Sequence, residues 1–169
     1  MRLLAIVSAL CTLATAATLA PEDAKAVTTL WRAYSPGARD HFYTTDYSEY
    51  NNAVNNLGYN AEGASCRVFS THVAQSVPLY RLYSGRASDH FYTTSAPERD
   101  NAIRNLGYTD EGIAAYVYSQ NINNAVPFYR AYSGGASDHF YTVNAVEMEN
   151  AIRKLGYSFE GIAAYVFNP

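Results

Sequence analysis

Four residue types able to bind a polar ligand recur together three times in this chain. Asp-His-Phe-Tyr-Thr stands at Asp40–Thr44, Asp89–Thr93 and Asp138–Thr142, and the copies are 49 residues apart. Upstream of each copy, Arg32, Arg81 and Arg130, then Tyr34, Tyr83 and Tyr132, keep the same spacing. Imidazole and guanidinium make directional hydrogen bonds, and a tyrosine ring offers a flat apolar face with a polar tip. Strand alternation sets His90 and Tyr92 on one face and Asp89, Phe91 and Thr93 on the other. Such a set suits a sugar, with the ring stacked on an aromatic face and its hydroxyls bound at the edge. The candidate contacts are therefore Tyr34, Tyr83 and Tyr132 as platforms, with His41, His90, His139, Arg32, Arg81 and Arg130 as polar partners. The competing reading is structural. Arg81, Asp89 and Glu111 would satisfy one another beneath a hairpin while His90 holds a turn carbonyl, because buried polar groups must be paired.

Other chemistries fit less well. If His41, His90 and His139 faced a common axis they would supply the ligand count of a catalytic zinc. No cysteine or second histidine stands at ligand spacing near any of them, so neither a metal nor a cofactor is assigned. His72 has Asn121 at its counterpart position and reads as a surface residue. No Gly-x-Ser-x-Gly occurs. Paired carboxylates such as Asp89 and Glu111 come in triplicate, whereas a hydrolase needs one asymmetric acid/base pair at one cleft. A glycoside or cell-wall hydrolase is thus the weakest reading, and no catalytic residue is assigned. Several weak sites on one rigid body favour binding to a surface that displays many ligand copies. A net charge of −3 with no basic run gives no case for nucleic acid.

The elements that must position these residues follow from the same period. At 169 residues and 49% hydrophobic, the chain suffices for one domain with a sizeable core. Residues 1–17 read as a secretory signal, with Arg2 before an apolar run and small residues at Ala14–Ala17. That run falls short of the ~20 residues of a membrane span, so the mature protein is expected outside the cell and off the membrane. Cys11 leaves with the signal, and Cys66 then reads as a small buried hydrophobe in a domain without an internal disulfide. A poorly ordered lead-in, 18–29, precedes three units at 30–70, 79–119 and 128–169. In the second unit, strands over Leu79–Tyr83 and Asp89–Thr94 flank a glycine-bearing turn. Ser95 with Glu98 forms a capping box, Ala102, Ile103 and Leu106 form an apolar stripe, and Gly107 supplies a left-handed C-cap. Gly112–Tyr118 reads as a strand covered on both faces. The fold class is therefore α+β. Three ββαβ repeats are expected to shield one another in a closed pseudo-threefold, propeller-like single domain, since no unit alone buries its sheet.

The string Tyr-Arg-Leu-Tyr-Ser…Asp-His-Phe-Tyr-Thr-Thr…Leu-Gly-Tyr…Glu-Gly-Ile-Ala-Ala-Tyr-Val resembles the His-Phe-Tyr-Thr repeat family of secreted fungal and bacterial proteins, often attached to cell-wall or polysaccharide hydrolases. The resemblance covers nearly all of the mature chain. It implies a non-catalytic module that targets a surface or wall, and it carries over no agreed set of functional residues. The first unit departs from the pattern: Trp31 replaces the first Tyr, and Glu62-Gly63-Ala64-Ser65-Cys66 replaces Glu-Gly-Ile-Ala-Ala. Its site would differ accordingly. The expectation is a secreted, lectin-like module with up to three equivalent sites for a glycan or cell-wall polysaccharide. The alternative is a structural or interaction protein, or a secreted effector, that binds no glycan.

Overall fold

The computed structural model describes residues 19–169. The expected signal at 1–17 lies outside the described residues. The expected lead-in is not structureless: α1 (Pro21–Ala24) is a single helical turn, and β1 (Val27–Ser35) begins before Leu30. Leu19, Ala26 and Val27 pack against Phe69 and Tyr118, and this contact holds the segment down.

In the first unit β1 pairs antiparallel with β2 (Asp40–Thr44) on one side and β3 (Asn60–Phe69) on the other, with α2 (Tyr47–Asn56) between them in sequence. The second unit repeats this with β4 (Ser76–Ser84), β5 (Asp89–Thr93), α3 (Ala96–Asn105) and β6 (Thr109–Tyr118). The third has β7 (Val126–Ser133), β8 (Asp138–Thr142), α4 (Ala145–Lys154) and β9 (Ser158–Val166). The molecule is α+β, a mostly antiparallel sheet with helices. The strands do not close into a propeller-like ring. Their path is β2-β1-β3-β6-β9-β7-β8, with β4 and β5 branching from β6, and it is open. Strands of different units meet through single residue pairs, Phe69 with Tyr116, Tyr118 with Tyr165 and the isolated bridge Arg67 with Phe167, and β2, β5 and β8 each keep one unladdered edge.

Side chains supply what the ladders do not. One core cluster takes Leu30, Tyr43, Cys66 and Val68 from the first unit, Leu79, Tyr92, Ala115 and Val117 from the second, and Phe128, Tyr141, Ala164 and Val166 from the third. Cys66 is wholly buried, and that burial pushes its thiol pKa up.

Local expectations hold unevenly. Asp46, Ser95 and Asn144 cap α2, α3 and α4 as expected, and Gly58, Gly107 and Gly156 take positive φ at the helix ends. The reciprocal half of the capping box is missing. Thr93 Oγ1, not Glu98, accepts the Ser95 N–H at 3.0 Å, which frees Glu98 for other use. The helix stripe is narrower than expected: Ala102 is buried, but Leu57, Leu106 and Leu155 are exposed at 61%, 61% and 67%. They sit at the helix C-termini, beyond the turn that contacts the sheet. The last strand of each unit is buried only in its C-terminal half. The left-handed residue of each hairpin turn is Arg39, Ser88 or Ser137, not the glycine in the loop.

Glu62, Glu111 and Glu160 owe their positions to backbone irregularity. The β1–β3 register slips between Arg32 and Ala33, leaving Glu62 as an extra residue opposite β1. Gly63, Gly112 and Gly161 follow with φ of 83°, 89° and 114°. Such a bulge re-aims a side chain, and only glycine takes that backbone without strain.

Candidate functional site

Each Arg lies under a neighbouring unit's helix. Arg81 Nη1 and Nη2 both donate to Glu49 at 2.9 Å, and its Nε lies 2.9 Å from Glu111, an ion pair whose N–H is not aimed along the contact. Arg130 makes the same pair with Glu98 and Arg32 with Glu147, so the partners run from unit to unit. Each guanidinium also covers a phenylalanine ring, Arg81 over Phe42 at 5.5 Å. A forked pair with a ring beneath it fixes a guanidinium in place. The Arg side chains thus position the site, and their Nη donors already serve the glutamates.

Each His is bound to a buried carboxylate of another unit. His90 N donates to Asp40 Oδ1 at 2.8 Å, and His90 Nδ1 lies 2.7 Å from Asp40 Oδ2. His139 meets Asp89 and His41 meets Asp138 in the same way. Tyr59, Tyr108 and Tyr157 donate their hydroxyls to the same three aspartates. The expected network therefore exists, with different pairings: Asp89 binds His139 and Tyr108 in place of Arg81, and His90 meets Asp40 in place of a turn carbonyl. The sequence spacing identifies which residues recur but not which copy meets which.

What converges is the aspartates. Carboxylate oxygens of Asp40, Asp89 and Asp138 lie within 4.8 Å of one another. Histidine and tyrosine donors already engage these oxygens, so the triad is explained as an inter-unit fastening. Burial pushes the Asp40 carboxyl up, but bonds from His90 and Tyr59 outweigh it and hold the pKa below the usual range. Glu49, Glu98 and Glu147 are likewise lowered, with burial opposed first by the Arg pair and then by a threonine hydroxyl.

A pH dependence follows. A carboxyl whose folded pKa is depressed stabilises the fold fully above its unfolded value, about pH 4, and loses that contribution as pH falls through the folded value. The urea midpoint should change little from these groups between pH 7 and 5 and fall steeply below about pH 4. Circular dichroism at each pH tests this. Glu98→Gln should flatten the acid limb, and a midpoint unchanged down to pH 2 would contradict the assignment.

Beside each His an open cleft lies between units. His41 and Glu62 face Phe140, Glu147, Asn150, Leu155 and Tyr157 across about 340 Å³. His90 faces Phe42, Glu49, Asn52, Leu57 and Tyr59 across about 200 Å³. His139 and Glu160 face Phe91, Glu98, Asn101, Leu106 and Tyr108 across about 180 Å³. The lining residues correspond at the 49-residue period. Each cleft offers an aromatic floor, carboxylate and imidazole acceptors or donors, an amide and an exposed leucine. A wider cleft of about 540 Å³ shares His139 and Tyr108 and adds Tyr132 and Arg86. Tyr34, Tyr83 and Tyr132 pack against His41, His90 and His139 with ring centroids 4.6 Å apart and planes tilted by 36–38°.

The candidate residues therefore separate by role. All three His line clefts, the Tyr flank them, and the Arg brace them. Sequence reasoning did not single out Asn52, Asn101, Asn150 or the exposed leucines as lining. The asparagines recur at the period, and that was the available signal; Asn52 and Asn101 also accept from the side-chain amides of Asn56 and Asn105 one turn on in their helices.

A family model described as Domain of unknown function (DUF5648) matches residues 29–167, all three units. No curated protein and no solved structure matches the chain.

Proposed function

We propose that this chain, which belongs to the DUF5648 family, is a secreted, non-catalytic carbohydrate-binding module with up to three equivalent sites. The observation that carries the reading is the recurrence of one cleft chemistry at three inter-unit positions. An aromatic floor with convergent acceptors and an amide matches the alternating apolar face and hydroxyl rim of a sugar ring. Triplicate sites on one rigid body would give avidity on a glycan-coated surface such as a cell wall. No single asymmetric carboxylate pair stands out among the clefts for hydrolysis.

The reading includes an arrangement of three ββαβ units about a shared centre, joined by side chains and not by a closed sheet. The His–Asp and Arg–Glu pairs run from the first unit to the third, the second to the first and the third to the second. A short bridge between Arg67 and Phe167, with both hydrogen bonds at 2.9 Å, adds a backbone link between the first and last units.

Purified protein on a glycan array, with chitin and peptidoglycan pull-downs, tests the function. Binding is expected, and it should weaken in a variant carrying Asn52→Ala, Asn101→Ala and Asn150→Ala, all solvent-exposed positions. His90→Ala asks in addition whether the braced imidazole contributes. Failure to bind any glycan, chitin or peptidoglycan would favour the second reading, a structural or interaction protein or secreted effector. That reading draws on one specific observation: the His Nδ1 and Arg Nη donors already serve contacts between units.

A further inference from the structure

The outer crevice between helix and sheet carries different chemistry in each unit. In the third unit Tyr129 packs beside Phe159, with centroids 6.2 Å apart, and its cross-strand partner is Ile162. In the second, Arg99 covers the Tyr80 ring at 4.4 Å, and the partner is Ile113. In the first, the equivalent aromatic is Trp31 and its cross-strand partner is Ala64. The position of Phe159 is taken by Ala61. The isoleucine that faces the aromatic in both other units, and the phenylalanine beside it in the third, are thus reduced to methyl groups here.

More rings fill the same place. Trp31 lies 5.1 Å from Tyr47 and 5.4 Å from Tyr50, and Tyr47 stacks on Tyr50 at 5.9 Å. Tyr50 is buried, and its hydroxyl accepts the Gly63 N–H at 3.3 Å, which holds the bed rigid. Tyr47 is 52% exposed and Trp31 partly exposed. The neighbouring helix positions also change character. Glu149 and Arg153 form an ion pair at this place in the third unit, whereas the first unit has exposed Asn51 and Asn55. An amide both donates and accepts hydrogen bonds, and so matches a hydroxyl group, which does both.

We infer that Trp31 and Tyr47, whose ring planes lie 58° apart, form an angled aromatic platform for a neutral hexopyranose, one ring beneath the sugar and the other at its edge, with Asn51 and Asn55 binding its hydroxyls, on the first unit alone. This rests on the glycan-binding reading and adds a site outside the inter-unit clefts. A rigid aromatic bed loses little side-chain freedom on binding, and a flat ring face matches the axial C–H face of a sugar.

Trp31 is the sole tryptophan of the sequence, so its fluorescence reports on the platform directly. Intact protein is titrated with chitohexaose, cellohexaose, laminarihexaose and mannohexaose, and calorimetry is run in parallel. The expected result is a saturable emission change with one of them, protection of Trp31 from acrylamide quenching, and an affinity loss of roughly tenfold in Tyr47→Ala. Trp31→Phe, which keeps a flat ring, should retain more affinity than Trp31→Ala. Calorimetric binding that leaves Trp31 emission and Tyr47→Ala affinity unchanged would overturn the platform while sparing the clefts. No binding of any of the four by either method, together with a blank glycan array, would overturn both.

Discussion

Asp89→Ala is expected to lower the unfolding free energy by about 3–5 kcal/mol, because three donors lose a buried acceptor at about 1–3 kcal/mol each. Asp89 has no exposed surface. Its Oδ1 accepts the His139 N–H at 2.8 Å, and its Oδ2 contacts His139 Nδ1 at 2.6 Å and the Tyr108 hydroxyl. Alanine strands all of these donors in a place water does not reach, and each stranded donor costs its desolvation. Because the contacts join the second and third units, the loss weakens an interface as well as a strand. Repulsion works the other way, since Asp40 and Asp138 lie within 4.8 Å. Three carboxylates so close would be unfavourable alone, but each faces its own imidazole, and removing one acid leaves the corresponding His without its partner. Asp89→Asn separates the two effects, because an amide oxygen still accepts from the His139 main chain while the charge is gone. It should cost about half as much as alanine. Guanidinium denaturation followed by circular dichroism gives both values. A loss below about 1 kcal/mol for Asp89→Ala would mean that repulsion among the acids nearly cancels their pairing.

Much of the local structure was legible from spacing alone. Asp46, Ser95 and Asn144 announce helix starts because a short polar side chain before an apolar stripe has few other uses, and Gly58, Gly107 and Gly156 mark the ends by the φ they must adopt. The α+β class follows from those signals. The pairings were not legible. Glu98 stands three residues after Ser95 whether it turns back to the cap or outward to Arg130, and only the neighbouring unit decides. His139 could have met any of three aspartates at the same period. The exposure of Leu106 was hidden as well, since helix periodicity assigns a face but not where along the helix the sheet stops. The closed ring failed as an inference about strands because buried edges can be satisfied by side chains, an option that hydrophobic patterning does not record.

Those side chains are the subject of the other large effect expected, that of Tyr92→Phe. In β2, Tyr43 stands opposite Arg32 of β1, and its own N–H and C=O point to the unladdered edge. Both are served by one atom: the Tyr92 hydroxyl accepts the Tyr43 N–H at 2.9 Å and donates to the Tyr43 C=O at 2.8 Å. The same exchange joins Tyr141 to Tyr92 and Tyr43 to Tyr141. Burial raises all three hydroxyl pKa values well above the ordinary, so the protons needed for donation stay in place. Phenylalanine keeps the ring and its packing, so the cavity cost is small and the hydrogen-bond cost is isolated. Two buried backbone groups lose their partner at about 1–3 kcal/mol each, which predicts a loss on the order of 2–5 kcal/mol. Tyr83→Phe, at a partly exposed position, should stay within about 0.5 kcal/mol. Replacing Tyr43, Tyr92 and Tyr141 together should exhaust the 5–15 kcal/mol typical of a domain and leave no cooperative unfolding transition. Amide exchange adds a site-specific reading: the Tyr43 amide should lose protection in Tyr92→Phe while Ala33, inside the ladder, loses only what global stability loses. If the Tyr43 amide stays as protected as Ala33 and the unfolding midpoint does not move, the hydroxyl is not what closes that edge.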